Sequence, residues 1–238
     1  VMRVKAAAVA GARDWLREND FTEVTPPILT TNACEGGTTL FKLKYFDRDA
    51  YLSQSAQMYL EALIFSLDRV YSITPSFRAE KSRTTRHLTE YWHLELEEAW
   101  VDNRGNMEIQ EQMVTAMVEA VLKNAADELS LMRKDIEPLK AIVPPFKRMT
   151  YVQAMDKLRG QGYDIGWGCD LGAPEERALT AEETVPVFVT NYPKECKAFY
   201  MKEDPEDPRT YACADLLAPG GFGEIIGGSE RETDLDKL

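Results

Sequence analysis

"SFRAEKSRTTRHLTEYWHLELE", residues 76–97, is the stretch on which the reading of the fold turns. It continues an extended run, "VYSITPSF", whose β-branched and aromatic residues suit a pleated strand. Its last residues alternate polar and apolar side chains, the period of a second strand. Between the two, Arg78, Lys81, Arg83, Arg86 and His87 crowd a single connection. Residues two apart on a strand share a face. Arg78 and Glu80 are therefore expected to project together from the end of the first strand. On the returning strand, Trp92, Leu94 and Leu96 are expected to face a core. Tyr91, His93, Glu95 and Glu97 are expected to form a polar face that lines a cleft.

The surroundings make that basic loop informative. The 238-residue chain has a formal net charge of −12, which excludes coating nucleic acid through global charge. A guanidinium holds phosphate oxygens in a fixed fork, so arginines above a polar sheet face suit a polyphosphate. No GxxxxGK[ST] loop is present, so a nucleotide would be held by side chains on a sheet. A solvated hairpin tip accounts for the loop alone. It does not account for "FRAE", the basic loop and "RHLTE" occurring in that order.

Working outward, residues 2–18 read as an amphipathic helix with Val4, Ala8, Ala12, Trp15 and Leu16 near one face. "FTEVTPPIL" is extended, because its prolines forbid a helix interior. "YFDRDAYLSQS" reads as a hairpin feeding a helix over 56–67. Asn103-Arg104-Gly105 reads as a turn before a long helix over about 107–129, in which Ile109, Met113, Ala116, Met117, Ala120 and Val121 repeat at helical spacing. "TYVQAMDKLRGQGYDI" reads as a short helix with a glycine stop. "VPVFVTNYP", "AFYMKE", "TYACADLLAP" and "GGFGEIIGGSER" read as strands, and the final residues as the start of a helix. Few βαβ alternations occur, so the expected class is α+β, an antiparallel sheet flanked by helices.

Hydrophobic residues make up 44% and charged residues 29%, ordinary values for a soluble globular domain. The four cysteines (Cys34, Cys169, Cys196 and Cys213) show no CxxC spacing and only two histidines occur, which argues against zinc and for reduced thiols in the cytoplasm. Cys196 and Cys213 could sit on paired strands. The opening helix carries Arg and Lys throughout and does not read as a leader. No apolar run approaches the ~20 residues of a membrane span.

The segment "FRAEKSRTTRHLTEYWHLELE" resembles motif 2 of the class II aminoacyl-tRNA synthetases, in their aspartate/asparagine branch. "FTEVTPPIL" resembles motif 1, with Pro27 at the family's proline. "EGGTTLFKL", "LSQSAQMYLEAL" and "GEIIGGSER" also match that branch, so the resemblance covers nearly the whole chain. It implies a class II synthetase-type antiparallel β-sheet flanked by helices over residues 1–238, in a cytoplasmic homodimer. It further implies that ATP and Mg2+ are used to make an aminoacyl-adenylate, which then loads a tRNA. Carried over by position, Arg78 is implied to grip the α-phosphate and the amino acid carboxylate, where its fixed charge would stabilise the charge developing in the transition state. Glu80, Arg86, His87 and Leu88 are implied to contact ATP, with Glu224. Glu35 and Gln57 would hold the substrate ammonium, and Arg231 would reach its side chain. Glu224 and Asp215 would hold magnesium, a hard cation that takes carboxylate oxygens.

Aspartate enzymes of this branch carry a lysine where this chain has Leu60. A neutral side chain there favours asparagine, since an unpaired buried charge is costly. The expected partners are therefore asparagine and tRNA(Asn), with a glutamate of the sheet as the guessed acceptor for the amide NH₂. The family's N-terminal anticodon-binding barrel and its motif 3, Gly-x-Gly-x-x-x-Glu-Arg, find no match within the 238 residues. Two further readings stay open: an ATP-dependent asparagine synthetase acting on aspartate, against which Leu60 speaks, and a non-catalytic paralogue used for dimerisation or amino-acid sensing.

Overall fold

A computed structural model describes residues 1–31, 40–79, 88–132 and 135–238. The chain divides into two compact units, Leu16–Trp100 and Val1–Trp15 with Val101–Leu238.

In the Leu16–Trp100 unit, β1 (Thr22–Glu23) runs parallel to β5 (Arg69–Phe77), which pairs antiparallel with β6 (Glu90–Glu98). β2 (Leu29–Thr30), β3 (Lys42–Tyr45) and β4 (Arg48–Leu52) form a second, antiparallel sheet ordered β2-β4-β3. The hairpin between β3 and β4 turns at Phe46, whose φ is 55°. α2 (Gln57–Leu67) follows β4 directly, as its apolar pattern predicts.

The polar face of β6 departs from expectation. The register pairs Val70 with Glu97, Ser72 with Glu95, Thr74 with His93 and Ser76 with Tyr91, so these side chains share one face. Val70, Ser72 and Ser76 are buried there, and Ala56 and Leu60 of α2 pack with Val70. The polar face therefore receives the helix. Glu95 makes this possible: its carboxylate accepts from the Ser55 hydroxyl and, at 2.9 Å, from the Ala56 amide. An anion at a helix start satisfies amides that have no partner within the helix. On the other face Trp92 is 58% exposed, while Leu94 and Leu96 are half-buried and Tyr71, opposite Leu96, is buried.

In the other unit, β7 (Lys147–Thr150), β8 (Val187–Thr190), β9 (Cys213–Ala218) and β10 (Gly223–Ser229) form one sheet ordered β10-β9-β8-β7. β7 and β8 are parallel, and the other pairings are antiparallel. α3 (Asn103–Asn124) covers one face: its Met107 and Val114 pack with Phe188, Ala214 and Leu216. α6 (Tyr151–Gly160) and α7 (Ala173–Thr180) cover the other, with Tyr151, Leu158 and Leu179 against Val189, Cys213 and Leu217. α1 (Met2–Glu18) forms where the periodicity placed it. Its Val4 and Ala8 pack on Val121, Ala125 and Leu129, and Gly11 lets it approach α3 closely. A Cβ at Gly11 would stand 2.6 Å from Ala120 Cβ.

Several boundaries differ from the sequence reading. Residues 103–105 are the first turn of α3, because the Asp102 carboxylate accepts from the Gly105 amide at 2.8 Å and caps the helix. α3 ends at Asn124, and Ala125 (φ −140°) separates it from α4 (Ala126–Leu131); α5 (Glu137–Lys140) follows. "AFYMKE" is not a strand; it makes isolated bridges, Met201 to Arg231 and Glu203 to Tyr211. The final residues form a hydrogen-bonded turn, Lys237 N to Asp234 O, rather than a helix. Cys196 sits in a 3-10 turn and Cys213 in β9; both are free thiols, as is Cys169.

Candidate active site

The acidic pair is built by an irregularity. Asp215 on β9 lies opposite Gly227 on β10, and Leu217 lies opposite Glu224. Glu224 and Gly227 are three residues apart, a separation that in a regular strand puts them on opposite faces. The register shifts between Glu224 and Ile226, so one extra residue returns Glu224 to the Asp215 face. Both carboxylates then converge over the bare Cα of Gly227. A Cβ there would lie 3.1 Å from Glu224 Oε1 and 3.5 Å from Asp215 Oδ1.

Asp215 is buried and Glu224 is exposed, so the pair is closed beneath and open above. Burial of the Asp215 carboxyl raises its pKa, and the ammonium of Lys197 opposes that rise. Lys197 Nζ donates to Asp215 Oδ2 at 2.6 Å and lies 3.6 Å from Asp170 Oδ1. Desolvation of the Glu224 carboxyl and then the Asp215 charge push its pKa up to about 7. The Glu224 amide donates to Glu176 Oε2 at 2.8 Å, which fixes the strand on α7.

Two carboxylate oxygens aimed at one glycine fit a divalent cation. Magnesium commonly takes one or two protein carboxylates and completes its shell with water and phosphate. Among the described residues no group of three or more His, Cys, Asp or Glu converges on a metal position. Arg231 lies at the far end of β10, where it donates to Ser229 Oγ at 3.0 Å and stacks over Tyr200 at 4.8 Å.

In the Leu16–Trp100 unit, Arg78 follows β5 and its amide donates to Thr89 O at 2.9 Å. Its guanidinium lies 5.7 Å from the Tyr91 ring centroid, so the polar face of β6 orients it. Gln57 opens α2; its amide group donates to Glu61 Oε1 at 2.9 Å and its backbone amide to Ser55 Oγ at 3.1 Å. Leu88 is 61% exposed. Glu95 is engaged by Ser55, Ala56 and His93, so this sheet glutamate serves the fold. Leu60 is fully buried and packs with Ala56, Val70, Val24, Leu63 and Ile64. Glu35, Glu80, Arg86 and His87, with Lys81 and Arg83, lie outside the described residues.

Three contributors escaped the sequence reading: Lys197, Tyr192 and Glu176. Lys197 sits in "KECKAFY", which has neither helical nor strand periodicity. Glu176 had a signal, since Gly172, Pro174 and Glu175 mark a helix start at which Glu175 accepts from the Gly172 amide.

These features define an α+β protein of mostly antiparallel sheet, with an arginine on one strand pair and an acidic site on another. The chain belongs to the class II tRNA synthetases (D, K and N), whose family model matches residues 1–238. It is 59% identical over 238 residues to the asparagine–tRNA ligase of Thermococcus gammatolerans and 60% identical over 239 residues to that of Thermococcus kodakarensis. Those alignments take in 100% of this chain and 55% and 56% of the relatives, so the chain spans just over half their length. Among solved structures, asparaginyl-tRNA synthetase from Pyrococcus horikoshii complexed with asparaginyl-adenylate superposes with a TM-score of 0.96 at 58% identity, over 99% of this chain and 54% of that one.

Proposed function

We propose that residues 1–238 form the catalytic domain of a cytoplasmic, homodimeric enzyme. It activates asparagine with ATP and Mg2+ to asparaginyl-adenylate and transfers the asparaginyl group to tRNA(Asn). The observation that carries this reading is the similarity of all 238 residues to asparagine–tRNA ligases at 59–60% identity. The Leu60 side chain supports a neutral substrate side chain, because that position supplies no cation to meet a carboxylate.

In this reading Arg78 binds the α-phosphate and the substrate carboxylate, and it neutralises charge that grows as the carboxylate oxygen attacks phosphorus. Gln57, with Glu35, orients the ammonium group; Arg231 reaches the side-chain amide. Glu80, Arg86, His87 and Leu88 hold the nucleotide. Asp215 and Glu224 would hold the magnesium, which when bound supplies positive charge at the phosphates. No covalent enzyme intermediate is required, so catalysis rests on positioning and charge.

Pyrophosphate exchange into ATP by the full-length protein tests the reading. Exchange is expected with asparagine and much less with aspartate. No exchange with either amino acid would favour a non-catalytic paralogue. Exchange with aspartate alone, with ammonia-dependent formation of asparagine, would favour an asparagine synthetase.

A further inference from the structure

Lys197 is the least exposed cation of the acidic site, and its surroundings hold it from three sides. Its side chain is 13% exposed. Nζ sits 4.1 Å from the Tyr192 ring centroid, donates to Asp215 Oδ2 at 2.6 Å, and lies 3.6 Å from Asp170 Oδ1. Tyr192 is itself buried, at 1% exposure, and its hydroxyl also reaches the Asp215 carboxylate. A flexible four-carbon stem is thereby pinned at both its charge and its ring contact.

The consequence lies in the geometry of Asp215. Lys197 occupies Oδ2, while Oδ1 is the oxygen near Gly227 together with Glu224 Oε1. A carboxylate fixed through one oxygen presents the other in a single direction. Losing that bond leaves the Tyr192 hydroxyl as the remaining restraint on rotation about χ2, a broad and nearly two-fold torsion. Groups that hold a ligating carboxylate from behind set metal affinity almost as strongly as the ligands themselves.

We infer that Lys197 is a positioning residue: it tethers Asp215 Oδ2 on the Tyr192 ring so that Oδ1 and Glu224 Oε1 face one divalent cation over Gly227. The inference rests on the proposed activity for its biological meaning, and its test reads the metal directly.

The test is a titration of Mn2+, followed by the loss of its free-ion EPR signal, on the full-length protein with a non-hydrolysable ATP analogue. Pyrophosphate exchange and thermal melts are run in parallel. Lys197→Met is expected to weaken Mn2+ binding by about tenfold, the usual cost of removing a residue behind a metal ligand. It should raise the Mg2+ requirement for exchange while leaving the KM for asparagine near that of the parent. Lys197→Arg, which still donates to Oδ2, is expected to bind Mn2+ like the parent. Parent-like or tighter binding by folded Lys197→Met overturns the inference, since Lys197 would then be mere counter-charge. Should Lys197→Met not fold, Lys197→Arg decides alone: parent-like binding supports the tether and a tenfold loss overturns it. A parent that binds Mn2+ but exchanges no pyrophosphate fails the activity reading and leaves this one standing. A Glu224→Gln variant that binds Mn2+ like the parent removes the metal site itself, and the inference with it.

Discussion

Arg78 and Glu98 show two ways a charged side chain serves a sheet. Arg78 lies over the Tyr91 ring, on the polar face of β6. Arg78→Ala is expected to cost about 10²–10³ in pyrophosphate exchange, the range for losing a donor aimed at developing charge. Arg83→Ala should be milder, and equal small losses in both variants would show that the strand and loop roles are wrongly assigned. Glu98 closes β6 opposite Arg69 and has no evident catalytic task. Burial, the largest cause, pushes its pKa up to about 7; Arg69 opposes the rise and Glu97 adds to it. The folded state therefore holds that proton more tightly than the unfolded chain. The stability Glu98 contributes is whole below its unfolded value of 4.5 and is lost as pH rises through about 7. At about 1.36 kcal/mol for each pH unit, the gap amounts to about 3 kcal/mol. Glu98→Gln should remove that dependence, so melting temperatures of parent and variant should diverge between pH 5 and pH 8, with the variant ahead at the alkaline end.

At the scale of elements, β10 carries the most chemistry for its length. Its extra residue at Ile225 is what lets Glu224 share a face with Asp215. Deleting Ile225 should leave Glu224 two residues from Gly227 and still on the Asp215 face, so exchange should survive in a regularised β9–β10 ladder. Loss of exchange in a folded deletion variant would show that the bulge sets more than the face Glu224 occupies. The sequence reading found β10 from its bordering glycines but could not find the bulge, since a register shift is a property of two strands and only one was in view. It found α2, β5 and β6 because their periodicities are local. It misjudged α3 because Asn103-Arg104-Gly105 looks like a turn until Asp102 is recognised as its cap. It did not foresee α2 packing on the polar face of β6, because alternation tells which residues share a face, not which face a helix will take.

Across the whole chain, the acidic balance of −12 leaves charge recognition to local sites. The residues proposed for substrate fall on both compact units: Arg78 and Gln57 on one, Asp215, Glu224 and Arg231 on the other. Their roles were legible only through the order of family motifs, because each taken singly is an ordinary surface or capping residue. Lys197 was illegible, since its partners come from distant points in the sequence. In the Leu16–Trp100 unit, Phe65 is 90% and Trp100 96% exposed. Large apolar side chains left in water favour burial against another surface. The full-length protein is accordingly expected to sediment as a dimer, with Phe65→Ser shifting it toward monomer; a monomer in the parent would refute the homodimer.

The clasp of Glu95 on the start of α2 couples two parts of that first unit. Gln57 is the first residue of α2, Arg78 follows β5, and β6 joins them through Ser55, Ala56 and the ladder to β5. The groups proposed to seize the two ends of the amino acid thus ride on one frame, like jaws cut from a single piece. Neither can adjust to a longer or shorter substrate without dragging the other. On the proposed roles, size discrimination would be mechanical as well as chemical, exercised through a glutamate assigned no substrate contact.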